Sequence, residues 1–349
     1  MQVINFCTRC LSMSTRPRIS FNKEGVCNAC LWTEKKKTIN WSKRENELTD
    51  LLDKHRSKTG NFDCLVPVSG GKDGSYVAYN LKHKYNMNPL CVTVTPPLPT
   101  QLGEENLREF VKSGYSHLSI NPPYEAMRLL NKKGFIEMGF PYFGWLTAIF
   151  SIPVRIASQF DIGITFYGED GEVEYGGTSE TEKEPIFDSL YMQKIYLESG
   201  YKKIIKNTDI SRQDSLFFEF LDQEKLNKKS TKFTHWSYFE NWDPYRNYLV
   251  AKEYCGLKEA DNNNQGTFTN FAQNDQHLYS LHTYLMYLKF GFGRANQDAC
   301  IEIRRGAMDR DQAINLVRMY DGIFSNDKIE IYLDYYKMGK KEFFDVLDK

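Results

Sequence analysis

Three groups of residues have the types and spacing to do chemistry. In the first, the apolar run Leu65-Val66-Pro67-Val68 breaks into Ser69-Gly70-Gly71-Lys72-Asp73-Gly74-Ser75, and residues 76–85 continue as a helical pattern. Small residues let main-chain N–H groups approach an anion closely, so the segment reads as a buried strand, a phosphate cradle and a helix N-terminus. It is not a Walker A loop, which needs four residues between a glycine and Gly-Lys-Ser/Thr. The second group is Cys7-Thr8-Arg9-Cys10 and Cys27-Asn28-Ala29-Cys30, two C-x2-C knuckles 16 residues apart. That spacing predicts a four-thiolate zinc site, structural because four protein ligands leave the metal no open position. The third is Tyr167-Gly168-Glu169-Asp170-Gly171-Glu172-Val173-Glu174-Tyr175-Gly176-Gly177, a glycine-bracketed cluster of carboxylates. Carboxylates aimed at a triphosphate repel it unless a divalent cation lies between. The block therefore reads either as a magnesium site built from Glu169, Asp170 and Glu172 with Asp73, or as an acidic surface turn.

The elements that must position these groups follow from the patterning. From residue 63 onward, short β-rich runs at 64–68, 91–95, 117–120 and 162–167 alternate with amphipathic stretches, the rhythm of a parallel α/β sheet. A fifth strand is expected at 234–239, because Asp243-Pro244 supplies an N-cap and first-position proline to a following helix. Ser42 with Glu45 reads as a capping box, as does Asp309 with Gln312. The expected division is a four-cysteine zinc knuckle at 1–38, an α/β domain at 39–260 carrying an insertion without a clear strand at 179–233, and a helical region at 261–349. The segment from Asp261 to Thr267 is polar enough to be a linker. Arg294, Arg304 and Arg305 fall between C-terminal helices and read first as solvated surface, with a grip on phosphate or carboxylate as the alternative.

In the 349-residue chain, Lys+Arg and Asp+Glu both number 45. No basic excess advertises nucleic acid or an anionic membrane as partner. No apolar run approaches the roughly 18 residues of a transmembrane helix, and the start lacks the regions of a signal peptide. A cytoplasmic protein is expected, and four of its eight cysteines, Cys64, Cys91, Cys255 and Cys300, stand alone.

The heptapeptide Ser69–Ser75 resembles the PP-loop of the ATP pyrophosphatases, usually Ser-Gly-Gly-x-Asp-Ser, with Gly74 as an extra residue. Taken with the four-cysteine knuckle, the acidic block, Trp242-Asp243-Pro244-Tyr245-Arg246-Asn247-Tyr248, Lys289-Phe290-Gly291-Phe292-Gly293-Arg294-Ala295 and Ile303-Arg304-Arg305-Gly306, the chain resembles bacterial N-acetyl sugar amidotransferases of the WbpG/PseA type. The resemblance implies a five-stranded parallel sheet of the adenine nucleotide alpha hydrolase-like (HUP) type in the order 3-2-1-4-5, with ligands beyond the carboxyl ends of the strands where that order reverses. It further implies that ATP is held by Ser69, Gly70, Gly71, Lys72, Asp73, Gly74, Ser75, Val94, Gly168, Glu169 and Asp170. Ser69, Lys72 and Asp73 are the expected catalytic groups, and Mg2+ and structural Zn2+ the expected metals. The implied reaction converts an acetamido group of a nucleotide-activated sugar, bound for lipopolysaccharide O-antigen or a flagellar glycan, into an acetamidino group. Residue 2 is Gln2 and not a cysteine nucleophile, so ammonia is expected from a separate glutaminase like the subunits of imidazole glycerol phosphate synthase. The rival readings are a PP-loop tRNA-thiolation enzyme and a non-enzymatic zinc adaptor.

Overall fold

The structure is a computed structural model that describes residues 3–198, 200–221 and 231–349; Gln2 and part of the expected insertion lie outside the described residues. The N-terminal half contains α1 (Asn28–Lys36), α2 (Trp41–His55), β1 (Cys64–Pro67), α3 (Lys72–Tyr79), β2 (Pro89–Val94), α4 (Gln101–Lys112), β3 (Ser116–Ile120), α5 (Tyr124–Met138) and α6 (Phe143–Gln159). Next come β4 (Ile164–Tyr167), α7 (Gly171–Tyr175), β5 (Ile186–Phe187), α8 (Ser189–Ile195), α9 (Tyr201–Lys206), β6 (Lys232–His235) and α10 (Pro244–Cys255). The C-terminal region is helical: α11 (Leu278–Phe290), α12 (Arg294–Arg305), α13 (Arg310–Tyr320), α14 (Ile329–Tyr336) and α15 (Lys340–Leu347).

The strands form one sheet in the order β3-β2-β1-β4-β6-β5, parallel except for the antiparallel β5–β6 pair. The five parallel strands stand in the expected order, with β6 as the fifth. The sheet has a sixth strand, β5, inside the insertion where the sequence shows none. Two residues are too few to display alternation, and β5 is fixed by tertiary contacts: Phe187 stacks on Phe233 and His235. The fifth parallel strand also ends earlier than expected, because residues 236–238 turn as a 3-10 helix and Ser237 N–H bonds the Gly168 carbonyl at 3.2 Å.

Local signals at helix starts had mixed outcomes. Asp243 caps α10 with Pro244 at its first position, and Asp309 with Gln312 forms a full capping box on α13. At α2 the cap is Asn40, which accepts the Lys43 N–H, and not Ser42. Helix α3 begins at Lys72, so Asp73, Gly74 and Ser75 belong to a helical turn and not to a loop before it.

Both faces of the sheet are buried, as parallel sheets require. On one face Leu65, Leu90 and Val92 join Leu278, Leu281, Tyr332, Tyr336 and Phe343, so the C-terminal helices share the core of the sheet. On the other, Val66 and Phe166 meet Leu48, Val77, Phe110 and Trp236. A third cluster unites the four knuckle cysteines with Ala299, Cys300 and Ala313, which docks the start of the chain on α12 and α13.

Candidate active site

The glycine turn after β1 is fixed by close approach. Gly70 has φ +79°, and a Cβ there would lie 2.5 Å from the Leu107 nitrogen of α4. Gly74 brings α3 against the preceding strand, where a Cβ would lie 2.9 Å from the Pro67 carbonyl. The N-cap of α3 is Gly71, which offers no side-chain acceptor, so the first N–H groups of the helix have no capping partner. Ser69, Gly70, Gly71, Lys72, Asp73 and Gly74 line a cavity of about 260 Å³ at this helix end. An uncapped helix N-terminus opening into a cavity is an anion site by its dipole and its free donors. Ser75 is not part of it. It is 0% exposed, outside the lining, and its hydroxyl has no partner among the described residues. One extra residue turns the helix by about 100°, which carries Ser75 away from the position its motif counterpart would hold.

Four groups gather round Asp73. The Lys72 ammonium pairs with its carboxylate, and the Asn247 amide donates to Asp73 Oδ1 at 3.3 Å. Asn247, fully buried, is oriented by Arg246, whose Nη2 donates to its carbonyl at 3.0 Å and to Glu240 at 2.7 Å. Gly168 allows the tip of β4 to press against Asp73 and Trp242, each 3.1 Å from where a Cβ would be. Beside it Glu169 lines the cavity and accepts from the Tyr175 hydroxyl at 3.4 Å. Burial, then the Asp73 charge, push the Glu169 carboxyl up to about 7. Magnesium binds through one or two carboxylates with the remaining positions left for water and phosphate, and Asp73 and Glu169 are two carboxylates of the cavity lining that could hold one.

The other carboxylates of the block are engaged elsewhere. Asp170 caps α7, accepting from the N–H groups of Glu172 and Val173 and from the Thr181 hydroxyl. Glu172 is gripped by Arg18 at 2.7 and 2.8 Å and accepts the Thr178 N–H. Glu174 takes the Trp32 ring N–H and the Lys36 ammonium, both at 2.8 Å. The expectation that Asp170 and Glu172 face the phosphates is therefore corrected. Asp170 is tied up in turn geometry, and Glu172 and Glu174 dock the four-cysteine module.

In that module the sulfurs of Cys7, Cys10, Cys27 and Cys30 are buried and lie within 4.8 Å of one another. The Cys7–Cys30 and Cys10–Cys27 separations are 3.9 and 3.7 Å. One tetrahedral ion with metal–sulfur distances of about 2.3 Å has edges of about 3.8 Å, so the set fits a single metal ion. A four-iron cluster puts each thiolate on a different iron and needs the sulfurs spread further. Main-chain N–H groups of Cys10 and Cys27 point at the Cys7 sulfur at 3.5 and 3.3 Å, as a thiolate would require.

Beyond the ends of β2 and β3 lies an apolar groove of about 580 Å³, lined by Thr93, Thr95, Pro96, Leu107 and His117 among others; it shares Ser69, Gly103 and Asp275 with the first cavity. Val94 does not reach it. Its side chain is in the core and its carbonyl accepts the Trp145 ring N–H at 3.1 Å, while the threonines on either side line the groove.

The rest of the phosphate cavity is walled by the C-terminal region, through residues 269–275, Tyr279, Arg294, Asn296, Asp298, Cys300 and Arg304. Residues 265–349 match a family described as the C-terminal domain of WbpG-like lipopolysaccharide biosynthesis proteins. Over those residues the chain is similar to that family. An uncharacterized protein of Methanocaldococcus jannaschii, MJ1599, is 34% identical over 89 residues, which cover 25% of this chain and about a third (32%) of that protein. Among solved structures, the U34-tRNA thiolase NcsA of Methanococcus maripaludis, determined with its 4Fe-4S cluster, aligns at TM-score 0.35 and 14% identity over 94% of this chain and 92% of its own.

The matched C-terminal region brings to the site arginines that patterning reads first as solvated surface. Arg294 pairs with Asp298 at 2.8 Å and faces the cavity, Arg304 faces it too, and Arg305 is held by Asp243 and Glu302 at 3.0 and 2.6 Å. None of the three is a free surface arginine. The expected linker is ordered by its own amides: Asn263 donates to the Thr267 carbonyl, Asn270 to that of Ala260 and Asn274 to that of Asn270. Asp275, at the junction of cavity and groove, has a buried Oδ2 without a partner among the described residues, and burial pushes its carboxyl up to about 6. The density of asparagine between 261 and 275 was the available signal for a built loop. Cys300, expected to stand alone, lies 3.6 Å from the Ser12 hydroxyl beside the four-thiolate set.

Proposed function

We propose that this chain is an AMP-forming amidotransferase that converts an acetamido group on a nucleotide-activated sugar into an acetamidino group, in lipopolysaccharide or related glycan biosynthesis. The observation that carries the reading is that the phosphate loop and the WbpG-like domain wall one cavity, so nucleotide and sugar would meet there. The amide oxygen attacks the α-phosphorus of ATP and pyrophosphate leaves. Ammonia then adds to the carbon of the adenylated imidate, and AMP departs with the former amide oxygen. Amide carbonyls are poor electrophiles, so the chain's main task is to stabilise the departing diphosphate. The free N–H groups of α3 and the Lys72 ammonium are preorganised for that. Asp73 and Glu169 would hold a magnesium ion, which would neutralise the diphosphate, and the apolar groove beyond β2 would take the adenine. The four knuckle thiolates would hold zinc as a structural ion. Ammonia would come from a separate glutaminase.

Incubation of the metal-loaded chain with MgATP, ammonium and candidate UDP- or CMP-linked N-acetyl sugars tests this. The expected result is sugar-dependent AMP with a product in which NH replaces the amide oxygen by mass spectrometry. AMP formation that requires tRNA and ignores every sugar, or release of ADP, overturns it.

A further inference from the structure

Among the described residues four cationic side chains line this cavity, and two of them have carboxylate partners: Lys72 has Asp73 and Arg294 has Asp298. The other two do not. Arg16, from the four-cysteine module, makes no side-chain hydrogen bond or ion pair among the described residues. Arg304, near the end of α12, makes its one side-chain hydrogen bond among the described residues to the Cys10 sulfur, at 4.0 Å. Glu172, the carboxylate nearest Arg16 in charge, is gripped by Arg18, and Arg304 faces the knuckle cysteines, whose thiolate charge a bound metal would offset in part. Burial, and then the charge of Arg304, push the Arg16 guanidinium down from its ordinary value. Two guanidinium groups brought together in a half-buried cavity without a carboxylate between them form a site for an anion with several oxygens, because the fork of each matches two acceptors.

We propose that Arg16 and Arg304 form a second anion station, separate from the glycine loop, that holds the diphosphate of the second substrate while ATP occupies the loop. This rests on the amidotransferase reading for the identity of that substrate. It also gives the four-cysteine module a role in binding: the metal would fix the turn that carries Ser12, Met13 and Arg16 into the cavity wall.

The test uses the full metal-loaded chain saturated with magnesium and the non-cleavable α,β-methylene analogue of ATP, which fills the glycine loop. Calorimetric titration with UDP is expected to show one further site, and Arg16→Gln or Arg304→Gln to weaken it on the order of ten- to a hundredfold. Affinity for the ATP analogue and metal content should stay within about twofold of wild type. Arg16→Lys should recover part of the loss, since it keeps charge without the fork. UDP binding unchanged in both variants overturns the proposal, and so does an Arg304→Gln chain that loses its metal in step with UDP. Titration with inorganic pyrophosphate separates the sources: a site that takes pyrophosphate and refuses UDP belongs to the leaving group, which overturns the assignment to the second substrate. If UDP binds as expected but no sugar supports AMP formation, the reaction is wrong and the station stands.

Discussion

Gly70→Ala tests the geometry on which the site depends. A methyl group at this position meets two costs. A left-handed backbone costs an L-residue about 1–2 kcal/mol. The new Cβ would also sit 2.5 Å from the Leu107 nitrogen and 2.7 Å from the Asn106 carbonyl carbon, backbone atoms of α4 that cannot rotate aside. Overpacking of that kind costs about 1–3 kcal/mol, so the sum is about 2–5 kcal/mol. Gly71→Ala is the control. Its φ of −79° and ψ of 173° suit any residue, and its Cβ would meet only the Ser69 hydroxyl at 3.2 Å, a side chain free to turn. Stability there should change by less than about 1 kcal/mol. Urea unfolding followed by tryptophan fluorescence measures both, and titration with the α,β-methylene ATP analogue reports whether the loop still binds. Gly70→Ala unfolding within about 0.5 kcal/mol of wild type, or Gly71→Ala proving the worse of the two, would refute the assignment of α4 as the wall that shapes the turn.

Lys72→Ala should lower sugar-dependent AMP formation by about 10²–10³ while leaving the urea midpoint near wild type, as loss of one preorganised donor does. Glu169 has its carboxyl pushed from an ordinary 4.5 up to about 7, so its contribution to stability is present below about pH 4.5 and is lost as pH rises through about 7. Glu169→Gln should therefore flatten the fall in unfolding free energy between pH 5 and pH 8, a difference of about 1 kcal/mol or more, and magnesium with the ATP analogue should stabilise wild type and not the variant above pH 7. Glu174→Ala strands the mostly buried Lys36 ammonium and the Trp32 ring N–H, and should cost about 3 kcal/mol and speed metal loss to a chelator. Asp243→Asn keeps an acceptor for the N–H groups of Tyr245 and Arg246 but weakens the partly exposed pair with Arg305, so it should cost no more than about 1 kcal/mol, whereas Asp243→Ala should cost about 1 kcal/mol further.

The fold was legible where a signal is local or periodic. Strands β1, β2 and β4 carry short buried apolar runs, and the capping residues of α10 and α13 act within one turn, so pattern and structure agree there. What failed depended on the third dimension. Ser75 looked like part of the cradle because sequence adjacency says nothing of a 100° rotation. Glu172 looked like a metal ligand because its partner, Arg18, lies more than a hundred residues away. Asn247 and Arg246 were visible as a motif, yet their work on Asp73 appears only once α10 is laid against α3. The same holds for Arg16, which no spacing connects to Arg304.

These departures share a physical cause. Under the proposed function the cavity receives a triphosphate, and an acidic strand end left unpaired there would oppose its binding, each unscreened carboxylate adding repulsion. The chain solves this by pairing Glu172 with Arg18 and Glu174 with Lys36, which also pins the four-cysteine module beside the loop. Glu169 is left as the one carboxylate of the block that faces the cavity, and burial raises its carboxyl to about 7, so its charge at neutral pH is reduced and a cation would restore it. The acidic block, the metal module and the phosphate site are thus one electrostatic arrangement. Removing the module would free two carboxylates at the mouth of the cavity, so loss of the structural metal should weaken binding of the ATP analogue even though none of the metal's ligands lies at the glycine loop, while withdrawal of Arg16 would weaken UDP.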